Sequence, residues 1–367
     1  MNGTRSAAAS VVFAAWLAVA PANAQGDGTE AIDFEPVVKA AVEDVIIPGY
    51  EALIDPAENL TLAVRHLCAE PSAETLNQAR AAFPPLIEAW SAVEMFRFGS
   101  ARDQNRYERL FFWPDRRSIG LRQVQRLLAE ENESATDIET LRDKSVAVQG
   151  LLALEYVLFG EGSEAMATDP PESYRCHYGA TIAAAVTAVA EITDDWRAPT
   201  GFANVMIDVG PENPLYRTHS EAMQQLLQSA REQLQFVRDL KLARPLRDNA
   251  AAANPKAAPF WRSNLTERAV AVNLQSVASL VSASGLTEQM PSDQTRLIDS
   301  LLFELRQAEA AITTDEAAPW IEAVREPERH ERLTYSLVPL GAAVTILEER
   351  LPAALGLIAG FNSLDGD

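Results

Sequence analysis

A chain of 367 residues is long enough to bury a sizeable core, and its length is a soft prior for about two domains. Its 52 acidic against 31 basic side chains leave a formal charge of −21, which argues against binding nucleic acid or an anionic membrane, because phosphates need clustered lysine and arginine. Two cysteines are too few for a disulfide-stapled scaffold.

Residues 1–24 read as a secretory signal: Arg5 in a short basic region, an apolar run from Ala7 to Ala20, and Ala22-Asn23-Ala24 as a small-x-small cleavage site. The expected product is exported, most simply to a bacterial periplasm. No cysteine follows the cleavage point to take a lipid, and no later apolar run is long enough to span a bilayer, so no transmembrane segment is expected.

The rest is rich in Ala, Leu, Glu, Gln and Arg, with apolar residues at helical spacing. Helices are expected over 35–68 (bent at Pro48-Gly49, interrupted near Pro56), 73–96, 119–129 and 138–159. From Tyr178, the set Ile182, Val186, Val189, Ile192 and Trp196 draws one stripe in steps of three or four, and Met223, Leu226, Leu227, Ala230, Leu234, Val237 and Leu240 draw another. Further helices are expected over 265–284, 293–312 and 328–349, with irregular connections at 99–114, 160–171 and 244–259, where Pro and Gly concentrate. The fold class is all-α, in two packed helical bundles over residues 25–200 and 201–367.

The run from Val148 to Gly160 carries one carboxylate, Glu155, among Leu151, Leu152, Leu154, Val157 and Leu158. A buried ionised carboxylate must be paired, protonated or metal-bound. This segment resembles the signature helix of the imelysin family, the M75 peptidase group of bacterial envelope proteins, whose motif reads Gly-x-His-x-x-Glu. Gly150 and Glu155 match it, and Leu152 stands at the histidine position. The strings Trp90–Gly99, Arg106-Tyr107-Glu108, Phe112-Trp113-Pro114-Asp115, Phe260-Trp261-Arg262-Ser263 and Gly360–Asp367 resemble further family hallmarks in order. The resemblance implies two helical bundles with the motif helix near a cleft between them.

The resemblance also carries the cleft candidates. Glu155 is read either as a remnant ligand or as the partner of an arginine. Glu94 and Arg97, three residues apart, match family positions and by resemblance approach Glu155; the competing reading pairs them with each other. Arg262 and Ser263 are expected to begin a helix after Trp261, where backbone N–H groups and an arginine suit an anion, unless Ser263 or Asn264 simply caps it. With leucine at position 152, Glu155 and Glu94 are the carboxylates left for a metal, more suited to a weak, hard cation than to zinc.

The four histidines, His66, His177, His219 and His330, offer no pair at helical spacing for zinc; His330 sits in a charged string expected to face solvent. Cys68 and Cys176 are expected to form a disulfide in an oxidising compartment, bringing His66 and His177 together.

Two functions follow from the resemblance: a non-catalytic binding protein linked to iron or metal acquisition, with an envelope iron-uptake partner, or a metallopeptidase of the M75 type. A structural module that has lost metal binding is a third. Hydrolysis needs an activated water, held by a metal with enough protein ligands or by a carboxylate and an electrophile, and the missing histidine weakens that case. No catalytic residue is assigned; iron or another divalent cation, or a small molecule, is the expected ligand.

Overall fold

The computed structural model describes residues 32–313 and 318–357, so the signal segment and the closing Gly360–Asp367 string lie outside the described residues. All regular structure among the described residues is helical, as the apolar spacing requires. From Asp33 onward the chain forms one compact unit. No helix among the described residues is long and apolar enough to cross a membrane.

The first helical stretch runs through Glu35–Ala40, a π-helical turn at Ala41–Ile46, and Ile47–Glu51. The wide turn precedes Pro48, which has no N–H to give to an earlier carbonyl, and Ile47 donates instead to Val42. The interruption expected near Pro56 falls at Ala52–Leu53. Helix α1 (Ile54–Ala69) carries Pro56 in its first turn, where a missing N–H loses no intrahelical bond.

The expected helix over 73–96 is two helices. Ala73–Ala81 begins at a reciprocal Ser72/Thr75 cap, and α2 (Phe83–Val93) restarts with two prolines in its first turn. Helix α3 (Ile119–Glu130) follows a loop whose Asp115 carboxylate accepts from the N–H groups of Ile119 at 2.7 Å and Leu121 at 3.2 Å.

The expected helix over 138–159 is likewise divided. Ile138–Arg142 gives way to a short turn capped by Ser145, and the motif helix α4 (Gly150–Phe159) begins only after Gln149 has taken an extended conformation. Helix α5 (Tyr174–Val186) breaks at Thr187–Ala188, where the Thr187 hydroxyl donates to the Ala184 carbonyl; Val189–Arg197 then continues the stripe. Ile182, Val186, Ile192 and Trp196 are all buried.

The later helices are α6 (His219–Gln235), which runs into a π-helical segment at Phe236–Ala243, α7 (Thr266–Ala283), α8 (Arg296–Ile312) and α9 (Leu337–Thr345). Helix α1 packs on α5, α2 on α7 and α8 on α9. Aromatic residues tie these layers together: Phe111 stacks on Phe260 at 5.5 Å, and Phe83 meets Phe260 edge-on at 6.4 Å. Each such fully buried side chain contributes about 1.5–3 kcal/mol.

Cys68, at the end of α1, is bonded to Cys176 in the first turn of α5, with Cα atoms 5.4 Å apart. His330 departs from expectation. It is only 7 % exposed and lies 3.0 Å from the Leu246 carbonyl through Nε2, while neighbouring Arg329 is buried in an ion pair with Glu267 at 2.6 Å. The charged string around it is therefore split between solvent and core, because the helix Pro327–Tyr335 turns these two residues inward.

Candidate functional site

Helix α4 is apolar nearly all round, so it is buried on almost every face. Gly150 starts it at φ +74°, and a Cβ there would lie 2.1 Å from the Arg109 carbonyl oxygen and 2.4 Å from that of Leu110. The motif glycine is thus required twice, for a left-handed backbone and for the close approach of the end of the short helix Arg106–Leu110. This placement delivers Glu155 to the interior, 1 % exposed.

The turn that meets Glu155 precedes α7. Phe260 at φ +57° and Asn264 at φ +61° bracket it, and their left-handed backbones help fold residues 260–264 into a concave loop of N–H groups. Glu155 Oε1 accepts from the Arg262 N–H at 3.0 Å, the Ser263 N–H at 2.9 Å and the Ser263 hydroxyl at 2.9 Å. Burial pushes the Glu155 carboxyl above its ordinary range, opposed by the Ser263 and Arg262 hydrogen bonds and by the Arg262 charge. Burial lowers the Arg262 guanidinium, and the Glu155 charge opposes that.

The anion that Arg262 and Ser263 hold is therefore the protein's own carboxylate. Contrary to expectation, these residues do not begin a helix: α7 starts at Thr266, after the left-handed residue Asn264. Nor does either capping reading hold, since Ser263 turns to Glu155 and Asn264 accepts from the Trp320 N–H at 2.6 Å.

Beside Glu155 opens a cleft of about 360 Å³, lined by Leu152 and Tyr156 from α4, Phe112, Trp113 and Asp115 from the preceding loop, and Phe260 to Arg262 from the turn. Arg116, Arg244 and Lys256 complete its wall. The Arg262 guanidinium lies 4.2 Å from the Trp261 ring centre and 5.2 Å from that of Tyr156. Leu152 offers the cleft no donor atom, Glu155 Oε1 already has three donors, and the other charged wall residues are cations except Asp115. Among the described residues, no cluster of three or more His, Cys, Asp or Glu could hold a metal. These residues do not fit a tight transition-metal centre.

Glu94 and Arg97 do not line this cleft. Glu94 is fully buried just after α2, where Oε2 accepts from Lys241 Nζ at 2.6 Å and from Asn273 Nδ2 at 3.1 Å. Lys241 also donates to Asn273 Oδ1 at 2.8 Å, closing a three-residue network between α2, the π-helical segment and α7. Burial depresses the Lys241 ammonium, and Glu94 opposes that shift. Arg97 stands 3.7 Å from Glu94 Oε1, packs 4.1 Å from the Phe236 ring centre and donates to Gln233 at 2.9 Å. The pairing with each other is present but secondary.

Sequence reasoning missed Lys241 and Asn273. The available signal was periodic: Lys241 continues the stripe of Leu234 and Val237 at the next position, where an unpartnered lysine could not be buried. Each histidine beside the disulfide has a carboxylate neighbour: His66 lies 3.7 Å from Glu70, and His177 contacts Glu172. His219, at the start of α6, lies 2.9 Å from the Ile207 carbonyl through Nε2.

The Imelysin family model matches residues 46–343. Iron-regulated protein A of Synechococcus elongatus is 24 % identical over 223 residues, which cover 59 % of this chain; the match spans only 57 % of that relative's length. An imelysin-like protein from Psychrobacter arcticum superposes with a TM-score of 0.74 at 19 % identity, covering 90 % of this chain and 100 % of that one. A putative iron-regulated protein A precursor from Parabacteroides distasonis gives 0.71 at 17 % identity, covering 87 % and 96 %. Both solved structures share this fold, and the family match spans most of the sequence: the chain belongs to the imelysin family.

Proposed function

We propose that this protein is an exported, non-catalytic binding protein of the bacterial periplasm that serves iron or metal acquisition, with its ligand received in the cleft beside Glu155. The observation that carries this reading is the engagement of Glu155 by the Arg262 and Ser263 N–H groups, next to a leucine at the motif's histidine position. A carboxylate anchored in that way, in a cleft wall that carries no histidine or cysteine, is poorly suited to hold a hydrolytic metal and its water. The iron connection is supported by the names of the cyanobacterial relative and the Parabacteroides structure, and export by the signal-like residues 1–24 together with the disulfide.

Metal content and binding isotherms of the purified protein, Leu152→His and Glu155→Ala test the reading. Wild type is expected to carry no stoichiometric transition metal and to cleave no peptide in a metal-dependent way. Leu152→His places an imidazole one turn from Glu155 and is expected to raise affinity for divalent metal measurably. Stoichiometric metal in wild type that disappears in Glu155→Ala overturns the proposal.

A further inference from the structure

The charge of the cleft opposes that of the molecule. In a chain of formal charge −21, the wall presents Arg116, Arg244, Lys256 and Arg262 against two carboxylates, Asp115 and Glu155. Among the described residues, none of these four cations forms an ion pair with a carboxylate. Both carboxylates accept from backbone: Asp115 from N–H groups that open α3, and Glu155, through Oε1, from those of Arg262 and Ser263, so that of the four cations only Arg262 feels a wall carboxylate's charge directly.

Aromatic faces hold two of the cations without neutralising them. Lys256 Nζ lies 5.3 Å from the Trp261 ring centre, and Arg262 sits over the same ring at 4.2 Å. A neighbouring cavity of about 310 Å³, at the start of α4, shows the contrast. There Arg106 is paired with Asp195 and Glu191, and Arg142 with Glu191 and Glu139, so that two of its three arginines are spent on protein carboxylates.

We infer that the cleft is an anion site that takes a small polycarboxylate, alone or as the oxygen-ligand shell of a ferric ion. This rests on the binding-protein reading above and names the ligand class. Guanidinium groups match carboxylates in plane and in paired donors, and a cationic recess between low-dielectric walls concentrates anions even where the wider field is negative. A cleft of about 360 Å³ admits a molecule the size of citrate, whose several carboxylates can meet several cations at once. The inference also fits an iron connection without a cluster of three or more His, Cys, Asp or Glu among the described residues, because ferric ion, which hydrolyses and precipitates at neutral pH, is kept dissolved by chelators, polycarboxylates among them.

Trp113 and Trp261 line the cleft and report its occupancy by fluorescence, with calorimetry as the second readout. Citrate, ferric citrate, inorganic phosphate and divalent metal salts are titrated separately into wild type and into the Arg116→Gln/Arg244→Gln double variant. These two side chains make no hydrogen bond or ion pair within the described residues, and the melting temperature of the variant verifies its fold. Citrate is expected to bind wild type, more weakly as salt rises, and roughly tenfold more weakly in the double variant. Equal binding of free and ferric citrate means that the carboxylates alone are read; tighter binding of the ferric form means that the complex is the ligand. No citrate binding in either form, binding unchanged in the folded double variant, or phosphate bound as tightly as citrate overturns the inference and leaves the metal-free reading of Glu155 standing. Divalent metal bound by wild type and lost in Glu155→Ala overturns that reading instead.

Discussion

Glu155 and Glu94 were both conspicuous as carboxylates in apolar runs, and the fold resolves them by different chemistry. Glu155 is met by backbone N–H groups and a hydroxyl; Glu94 is met by an ammonium and an amide. The second arrangement is sensitive to the loss of one partner, because a buried charge left alone keeps its desolvation penalty and loses its Coulomb attraction. Lys241→Met is therefore expected to destabilise the protein by about 3–5 kcal/mol, while Glu94→Leu/Lys241→Met recovers most of that loss. Urea unfolding followed by circular dichroism measures both; a single variant costing under about 1 kcal/mol would show that the pair is not the buried anchor described.

At the level of elements, the helical class and most helix locations were readable because the apolar stripes persist over several turns. The breaks were less so. The division of 73–96 follows from Pro84 and Pro85, which were visible, but that of 138–159 depends on Gly150 entering the left-handed region against the Arg109 and Leu110 carbonyls, a contact between distant segments. The candidate site shows the same limit. Glu155 and the Arg262-Ser263 pair were separate candidates beside Glu94 and Arg97, and the hydrogen bonds that join the first three span more than 100 residues; the helix expected to begin at Arg262 is a turn, because its geometry is set by left-handed Phe260 and Asn264 rather than by any local helix signal. Lys241 stayed hidden because a lysine on a stripe reads as an edge residue until a partner 147 positions away is brought to it. The disulfide was legible from an even pair of cysteines in a chain expected to be exported, and it joins α1 to α5 across 108 residues. Loop closure of about that length gives a stabilisation of about 4.7 kcal/mol before strain is subtracted. Denaturant unfolding of Cys68→Ser/Cys176→Ser is expected to show a loss of that order; a loss below about 1 kcal/mol would mean that the packing of α1 on α5 alone holds the two together.

For the molecule as a whole, the motif helix of one part of the chain and the turn before α7 of another are joined at a single carboxylate, and the cleft beside it takes its shape from that joint. Its four cations outnumber its two carboxylates, and those carboxylates accept from backbone N–H groups, which is why a protein acidic overall can present a cationic recess. Glu155 is occupied by the protein's own amides, and the metal-free cleft depends on that. Hydrogen exchange at the Arg262 and Ser263 amides, in wild type and in Glu155→Ala, reads that occupation directly. Slow exchange of both amides in wild type, turning fast in Glu155→Ala while the amides in the middle of α7 stay protected, is the predicted result. Fast exchange of both in wild type would contradict it.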